Sequence, residues 1–202
     1  MEYYLSLITF TFVAGITPGP NNMMLLTSGL NHGIRKSIPH YLGIGFGFPI
    51  MVAVMGFGLG ALFLEYPSIY IYIKAAGITY LLYLSWKIAN AGNANASSKI
   101  REPLSFLQAA AFQWLNPKAL VVAIGALAAF TTPENVTQSV IAVILVYFFV
   151  GFICTAVWLT LGQGLQQFLR SGKRTGYFNI TMAVLLALSV IPMAFTGFGN
   201  VA

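Results

Sequence analysis

Long apolar runs separated by short polar connections make up most of the chain. Six runs, at about 4–28, 38–63, 67–88, 104–130, 138–166 and 177–198, each supply the ~20 residues that a bilayer crossing needs. Alternation with a period of two is absent, and the runs are too long for barrel strands. Backbone polar groups in lipid must be satisfied within their own segment, so the pattern predicts an all-α integral membrane protein of six helices. Two of the runs are interrupted. The first contains Thr17-Pro18-Gly19-Pro20-Asn21-Asn22 and the fourth Asn116-Pro117-Lys118-Ala119, with Pro18 and Pro117 lying 99 residues apart. At the same offset Ser105 falls on Ser6.

The polar connections give direction to this pattern. Arg35 and Lys36 lie in the first connection, Lys87, Lys99 and Arg101 in the third, and Arg170, Lys173 and Arg174 in the fifth. The second holds only Glu65 and the fourth only Glu134. The positive-inside rule places connections one, three and five in the cytoplasm and both termini outside. Three spans per half is an odd number, so the second half enters from the opposite side. The expected arrangement is a 3+3 inverted repeat in one transmembrane domain, with repeat 1 at about 1–89, a linker at about 90–103 and repeat 2 at about 104–202. The stretch Asn90-Ala-Gly-Asn-Ala-Asn-Ala-Ser-Ser98 has linker composition.

Composition agrees with the pattern. The chain is 58% hydrophobic and 7% charged, against about 25% charged in soluble proteins. Its formal charge of +6 sits in short connections, where topology and anionic headgroups account for it, so nucleic acid is not an expected partner. Cys154 is the only cysteine and lies in an apolar run, so it has no internal disulfide partner. The first run lacks a basic leader and an evident cleavage site, and reads as a retained span.

The interruptions are where chemistry is expected. Proline removes a donor and clashes with the preceding turn, so helices 1 and 4 should break at Pro18, Pro20 and Pro117, with Gly19 relaxing the backbone between. A break leaves free carbonyls on one side and free N–H groups on the other. Thr17 and Asn116 both precede a proline, the arrangement of an N-cap before a first-turn proline. The new N-termini suit a carboxylate and the carbonyl ends an ammonium, so a zwitterionic amino acid fits both. Paired broken helices near mid-bilayer are the sequence pointer to a transporter's binding site. The bland alternative is a pair of simple proline kinks.

Lys118 is the sharpest single residue. A lysine at that depth costs about 2.5–3.5 kcal/mol, and Glu2, Glu65, Glu102 and Glu134 all fall at ends or in connections. It calls for a bound anion or a neutral amine in a wet cavity. Lys74, near the outer end of the third run, reads equally as a binding residue or as a snorkelling one. With no acid inside the membrane, ion coupling must use these lysines, carbonyls or amides.

Other features read as structural. Gly43, Gly45, Gly47, Gly56, Gly58 and Gly60 give the second run small faces for close helix packing, within a protomer or across a dimer. His32 and His40 flank Arg35-Lys36 and read as solvated connection residues, and the methionines as gap fillers. An efflux carrier for a metal or other inorganic ion is the competing function, but it would want intramembrane acids, histidines or cysteines, and only Cys154 lies in a run. No nucleophile–base pair suggests an enzyme, and no cofactor motif is present.

The quoted residues resemble the LysE/RhtB family of amino-acid exporters. The likeness is carried by Thr17-Pro-Gly-Pro-Asn-Asn22, Gly33-Ile-Arg-Lys-Ser37, Lys74-Ala-Ala-Gly-Ile-Thr-Tyr-Leu81 with Trp86-Lys87, and Phe112-Gln-Trp-Leu-Asn-Pro-Lys-Ala119. It covers almost the whole chain. The resemblance implies six helices, a bacterial inner-membrane location, homodimers, and outward transport of small amino acids such as lysine, threonine, homoserine, cysteine or O-acetylserine. The Pro-Gly-Pro-Asn-Asn form and Asn31-His32-Gly33 are most similar to the cysteine/O-acetylserine branch. The missing intramembrane acids favour neutral substrates over lysine.

Overall fold

A computed structural model describes residues 2–59, 67–90, 102–168 and 172–195. Every regular element among the described residues is helical: α1 Glu2–Ile16, α2 Pro20–Val54 continued by a π turn Met55–Leu59, α3 Pro67–Asn90, α4 Phe106–Leu115, α5 Pro117–Phe130, a 3-10 turn Pro133–Asn135, α6 Val136–Phe168 and α7 Gly172–Phe195. The expected linker residues 91–98, and Glu65, Lys99, Arg101 and Arg170, lie outside the described residues.

α2 is two arms. Gly33, at φ 77° and ψ 169°, interrupts it in a conformation that favours glycine. In a straight helix Ser28 and Ser37 would stand roughly 13 Å apart along the axis, yet their hydroxyls meet at 2.7 Å. The chain therefore folds back, and arm 34–54 lies beside arm 20–32. Gln163 of α6 fastens the turn, its side-chain oxygen accepting the Ile34 N–H at 2.7 Å. The first connection of the sequence reading is thus a one-residue hinge. This corrects the expectation for His40, which is not solvated but buried at 2% exposure, because the second arm becomes helical immediately after Gly33. Neither of its ring nitrogens has a hydrogen-bond partner among the described residues.

Glycines set the closest packing. A Cβ on Gly29 would sit 2.3 Å from the Leu159 carbonyl oxygen, and one on Gly162 2.1 Å from that of Leu26, so α6 and the first arm cross at a reciprocal pair of glycines. On the second arm, Gly43 and Gly47 admit α4, where Cβ atoms would lie 2.4 Å from Phe106 O and 2.6 Å from Ala110 Cα; Gly45 meets the Phe152 ring of α6. Gly43, Gly45 and Gly47 of the second run are therefore used within the protomer; a Cβ on Gly58 would meet nothing within 4 Å, and Gly60 lies outside the described residues.

The remaining pairings are α1 on α6 and α3 on α7. One apolar cluster joins Leu7, Met51, Val52, Leu120, Ala123 and Val143, and another joins Met23, Met24, Leu81, Phe112 and Leu186. Large apolar side chains such as Leu107, Phe149 and Ile153 point outward, as a lipid-facing surface requires. By length and composition, Val136–Leu165 is a candidate span, as is the stretch Pro20–Gly58 that the Gly33 hinge divides, and α4 with α5 makes another if that pair, bent by 68°, counts as one.

Candidate functional site

α1 stops at Ile16 and α2 starts at Pro20. A residue before proline is pushed out of the helical region, and Gly19 is fully extended at φ −176° and ψ 179°. The second interruption follows the same rule in a shorter form: Asn116, at φ −87° and ψ 104°, separates α4 from α5, and Pro117 is the first residue of the new helix.

The carbonyls freed at the end of α1 are met by side chains from three elements. Trp158 Nε1 of α6 donates to Ile16 O at 3.2 Å. Asn22 Nδ2 donates to Gly15 O at 2.7 Å and to Thr17 O at 2.9 Å. Lys118 Nζ, from the opposite interruption, donates to Thr17 O at 2.9 Å and to Pro18 O at 3.3 Å. A cation at the carbonyl end of a helix is at the favourable pole of its dipole. Lys118, left without an acid by the sequence, thus has the end of α1 for a partner.

Gly19 makes this approach possible. A Cβ there would stand 2.7 Å from Lys118 Cδ and 2.9 Å from its Nζ. The two interruptions are also stitched by amides: Asn21 Nδ2 donates to Gln113 Oε1 at 2.8 Å, and Gln113 Nε2 returns a bond to Asn21 Oδ1 at 3.2 Å. Gln113, wholly buried, also donates to Ala109 O at 2.9 Å.

The two helix starts differ. Asn116 Oδ1 accepts the Ala119 N–H at 3.4 Å and caps α5. α2 is capped by Gly19, which offers no side chain. Thr17 was expected to cap; instead its hydroxyl donates back to Val13 O, because Pro18 and the extended Gly19 separate it from the start of α2.

Gly19, Pro20, Asn21, Asn22, Asn116 and Lys118 line one cavity of about 80 Å³. One water needs roughly 10–15 Å³ on this measure, so the space admits several waters or a small organic solute. Its remaining wall is mainly apolar, with Ile44, Phe48, Pro49 and Val122 prominent, and includes Tyr147 and Thr155 of α6.

Of the residues singled out in the sequence, Thr17 and Pro18 reach this cluster through their carbonyls, and Pro117 is buried behind it as the first residue of α5. Lys74 is on α3, and its side chain lies outside the described residues. Sequence reasoning missed Gln113, Trp158 and Tyr147. Gln113 carried a signal, an amide inside an apolar helix three residues before the interruption; the others carried none, since aromatic residues are common throughout these runs.

Among the described residues there is no group of three histidine, cysteine or acidic side chains that could hold a metal ion. The sequence profile of the LysE type translocators matches residues 12–194. The chain belongs to that family. This LysE type translocator is also 29% identical, over 185 residues, to the cysteine/O-acetylserine efflux protein of Escherichia coli K12. Proteins of that name from Shigella sonnei and from Escherichia coli O1:K1 show the same identity, and the alignments cover 91% of this chain and 93% of each relative. No solved structure matches the chain. The family places the protein among bacterial membrane transporters and not among enzymes.

Proposed function

We propose that the protein exports small amino acids of no net charge, or their derivatives, across the bacterial inner membrane, and that the substrate sits between the two interruptions. The observation that carries this reading is the Lys118 ammonium, delivered from one interruption onto the Thr17 and Pro18 carbonyls of the other at the wall of a solute-sized cavity. The uncapped first turn of α2 offers a partial positive charge to a carboxylate, and Lys118 adds a full one. Among the described residues Pro18 O has a single long contact and keeps a lone pair for the substrate's ammonium. The solutes that name the Escherichia coli relatives, cysteine and O-acetylserine, are small zwitterions that need no further charge from the site.

Two features support a membrane arrangement of six spans as a 3+3 inverted repeat, with both termini outside. Exchanging the halves sends α1 to α4, the second arm of α2 to α6, and α3 to α7. The pairing of α1 with α6 then becomes that of α4 with the second arm, while the pairings of the second arm with α6 and of α3 with α7 map onto themselves. The cationic connections supply the sidedness.

The test is efflux from proteoliposomes loaded with a panel of neutral amino acids, run beside vesicles loaded with lysine and with inorganic ions. Export of neutral amino acids above the rate of protein-free vesicles is the expected result. Export of ions alone would overturn the reading.

A further inference from the structure

His40 lies about two turns beyond the Gly33 hinge, is buried, and has no hydrogen-bond partner for either ring nitrogen among the described residues. A neutral imidazole carries one N–H donor and one acceptor nitrogen, so both of its polar groups go unmet. Burying them in that way is costly, and a leucine or methionine would fill the place without the cost.

Residues one turn away on the same face of the helix are Ser37, Gly43 and Ile44. The Ser37 hydroxyl meets that of Ser28 on the first arm, Gly43 lies against Phe106 O at the start of α4, and Ile44 packs with Leu25, Ala109 and Leu159. His40 therefore stands where the two arms and α4 converge, and Ile44, on the next turn, is already cavity wall. The titratable and charged groups of these elements are few. The first arm brings His32, the segment before α4 brings Glu102, and the second arm itself brings Lys36 and Tyr41. α4 brings none, and α6 brings Tyr147 and Cys154, which stand against Phe48 and Phe12 O. Of all these, His32 is the group whose charge acts on His40, while Lys36 and Glu102 act on His32. Nothing among the described residues is placed to accept from a charged ring. An imidazolium here would bury a full charge and two N–H donors without an acceptor. The group the ring lacks is water, and water reaches it when the two arms part about Gly33. A proton on His40 and the packing around it thus exclude one another.

We propose that His40 is a proton-binding site of the carrier: protons from the cytoplasm bind its ring when the two arms part, and hold the protein out of the packed arrangement. This rests on the proposed reading of the cavity as the substrate site and of the Gly33 hinge as cytoplasmic. Leu25, Ile44, Ala109 and Leu159 lie beside His40 at the cavity's edge, so the packed arrangement closes the cavity on the hinge side. Outward delivery of a substrate passes through that closure, and acid therefore slows export.

The experiment compares the wild type with His40→Gln, whose amide keeps a donor and an acceptor and takes no charge, and with His32→Gln. The first readout, Tm at pH 7.5 and 5.5, needs no substrate. Across that range the neutral fraction of a free imidazole falls about tenfold. The wild type and His32→Gln should each lose roughly 3–5 °C more than His40→Gln. Equal losses in the wild type and His40→Gln overturn the proposal. The second readout is cysteine efflux from proteoliposomes with the same pH on both sides. It should fall by up to about tenfold in the wild type between pH 7.5 and 5.5 and hold steady in His40→Gln; an active wild type with a flat profile overturns the proposal. A wild type that exports no amino acid sinks the parent reading instead, and the Tm comparison then decides for His40 alone. Should His40→Gln fail to fold, NMR of His32→Gln decides, since the chain has two histidines and His40 is then its one imidazole. A ring still neutral at pH 5.5 supports the assignment, and one that protonates near the free value of about 6.5 overturns it.

Discussion

The two interruptions look alike in sequence and differ in chemistry. At the first, α1 ends in a row of carbonyls that need donors from Asn22, Trp158 and Lys118, and α2 begins with no side-chain cap. At the second, a single residue does both jobs: Asn116 donates its N–H to Gln113 O at 3.3 Å and caps α5 with its side chain. The difference follows from length. Two prolines separated by glycine leave three residues, Thr17 to Gly19, between the helices, with Gly19 fully extended, and open a gap; one proline needs only one extended residue, Asn116, before it. The longer break therefore exposes backbone dipoles to the cavity, while the shorter one closes on itself and delivers Lys118. On the proposed reading, one interruption supplies the receptor surface and the other supplies the charge.

Removing that charge should produce the largest effect. In Lys118→Met, efflux of a neutral amino acid should fall by about a hundredfold, the upper end of the scale of one hydrogen bond to a charged group. Membrane insertion should persist, since methionine is easier to place at that depth than lysine. Transport near the wild-type rate would break the comparison at its root, because the second interruption would then deliver nothing that the substrate needs.

Moving the charge without removing it should cost less. Gly19 is extended, a conformation open to alanine, so Gly19→Ala acts through the 2.7 Å and 2.9 Å approaches of its Cβ to Lys118. The lysine stem is flexible and will shift, taking the ammonium off one of its two carbonyls. Efflux should drop roughly tenfold, about the value of one hydrogen bond to a charged group. Gly125→Ala, whose new Cβ would meet nothing within 4 Å, is the matched control and should leave efflux unchanged.

How much of this was legible in the sequence depended on what kind of physics fixed each feature. Proline and glycine act on their own backbone, so the ends of α1 and α4 and the starts of α2 and α5 could be placed from Pro18, Pro20 and Pro117 alone. The Gly33 hinge was hidden, because a polar segment with Arg35 and Lys36 reads the same whether it is a loop or a one-residue turn between helices. His40 was misjudged for that reason. Lys118 was visible as an unpaired cation, but its partner was not: backbone carbonyls carry no sequence signature, and the Thr17 and Pro18 oxygens lie about a hundred residues away. Trp158 and Tyr147 act through tertiary placement only. They became meaningful once the fold had set the Ile16 carbonyl beside one and a cavity beside the other.

Asn116→Ala sharpens the comparison from the structural side. Losing the cap on α5 should lower stability by about 1 kcal/mol, read as a small fall in Tm of the purified protein. Efflux should be reduced less than in Gly19→Ala, because Lys118 keeps both of its carbonyls. A loss as deep as that of Lys118→Met would mean that the Asn116 amide meets the substrate directly, and the second interruption would then be a receptor surface as well.

Thr17→Val is the gentlest test and bears on how the first interruption works. Valine keeps the β-branched shape and the backbone carbonyl, and removes only a hydroxyl that is spent on Val13 O of its own helix. Thr17 N also donates to Val13 O, at 3.1 Å, so that carbonyl stays satisfied after the substitution. If Thr17 contributes through its carbonyl, efflux should remain within about twofold of wild type, since no buried group is left without a partner. A tenfold loss would show that the hydroxyl turns toward the cavity during transport. The first interruption would then recognise substrate with side chains, and the contrast between an open backbone surface and a delivered charge would have to be given up.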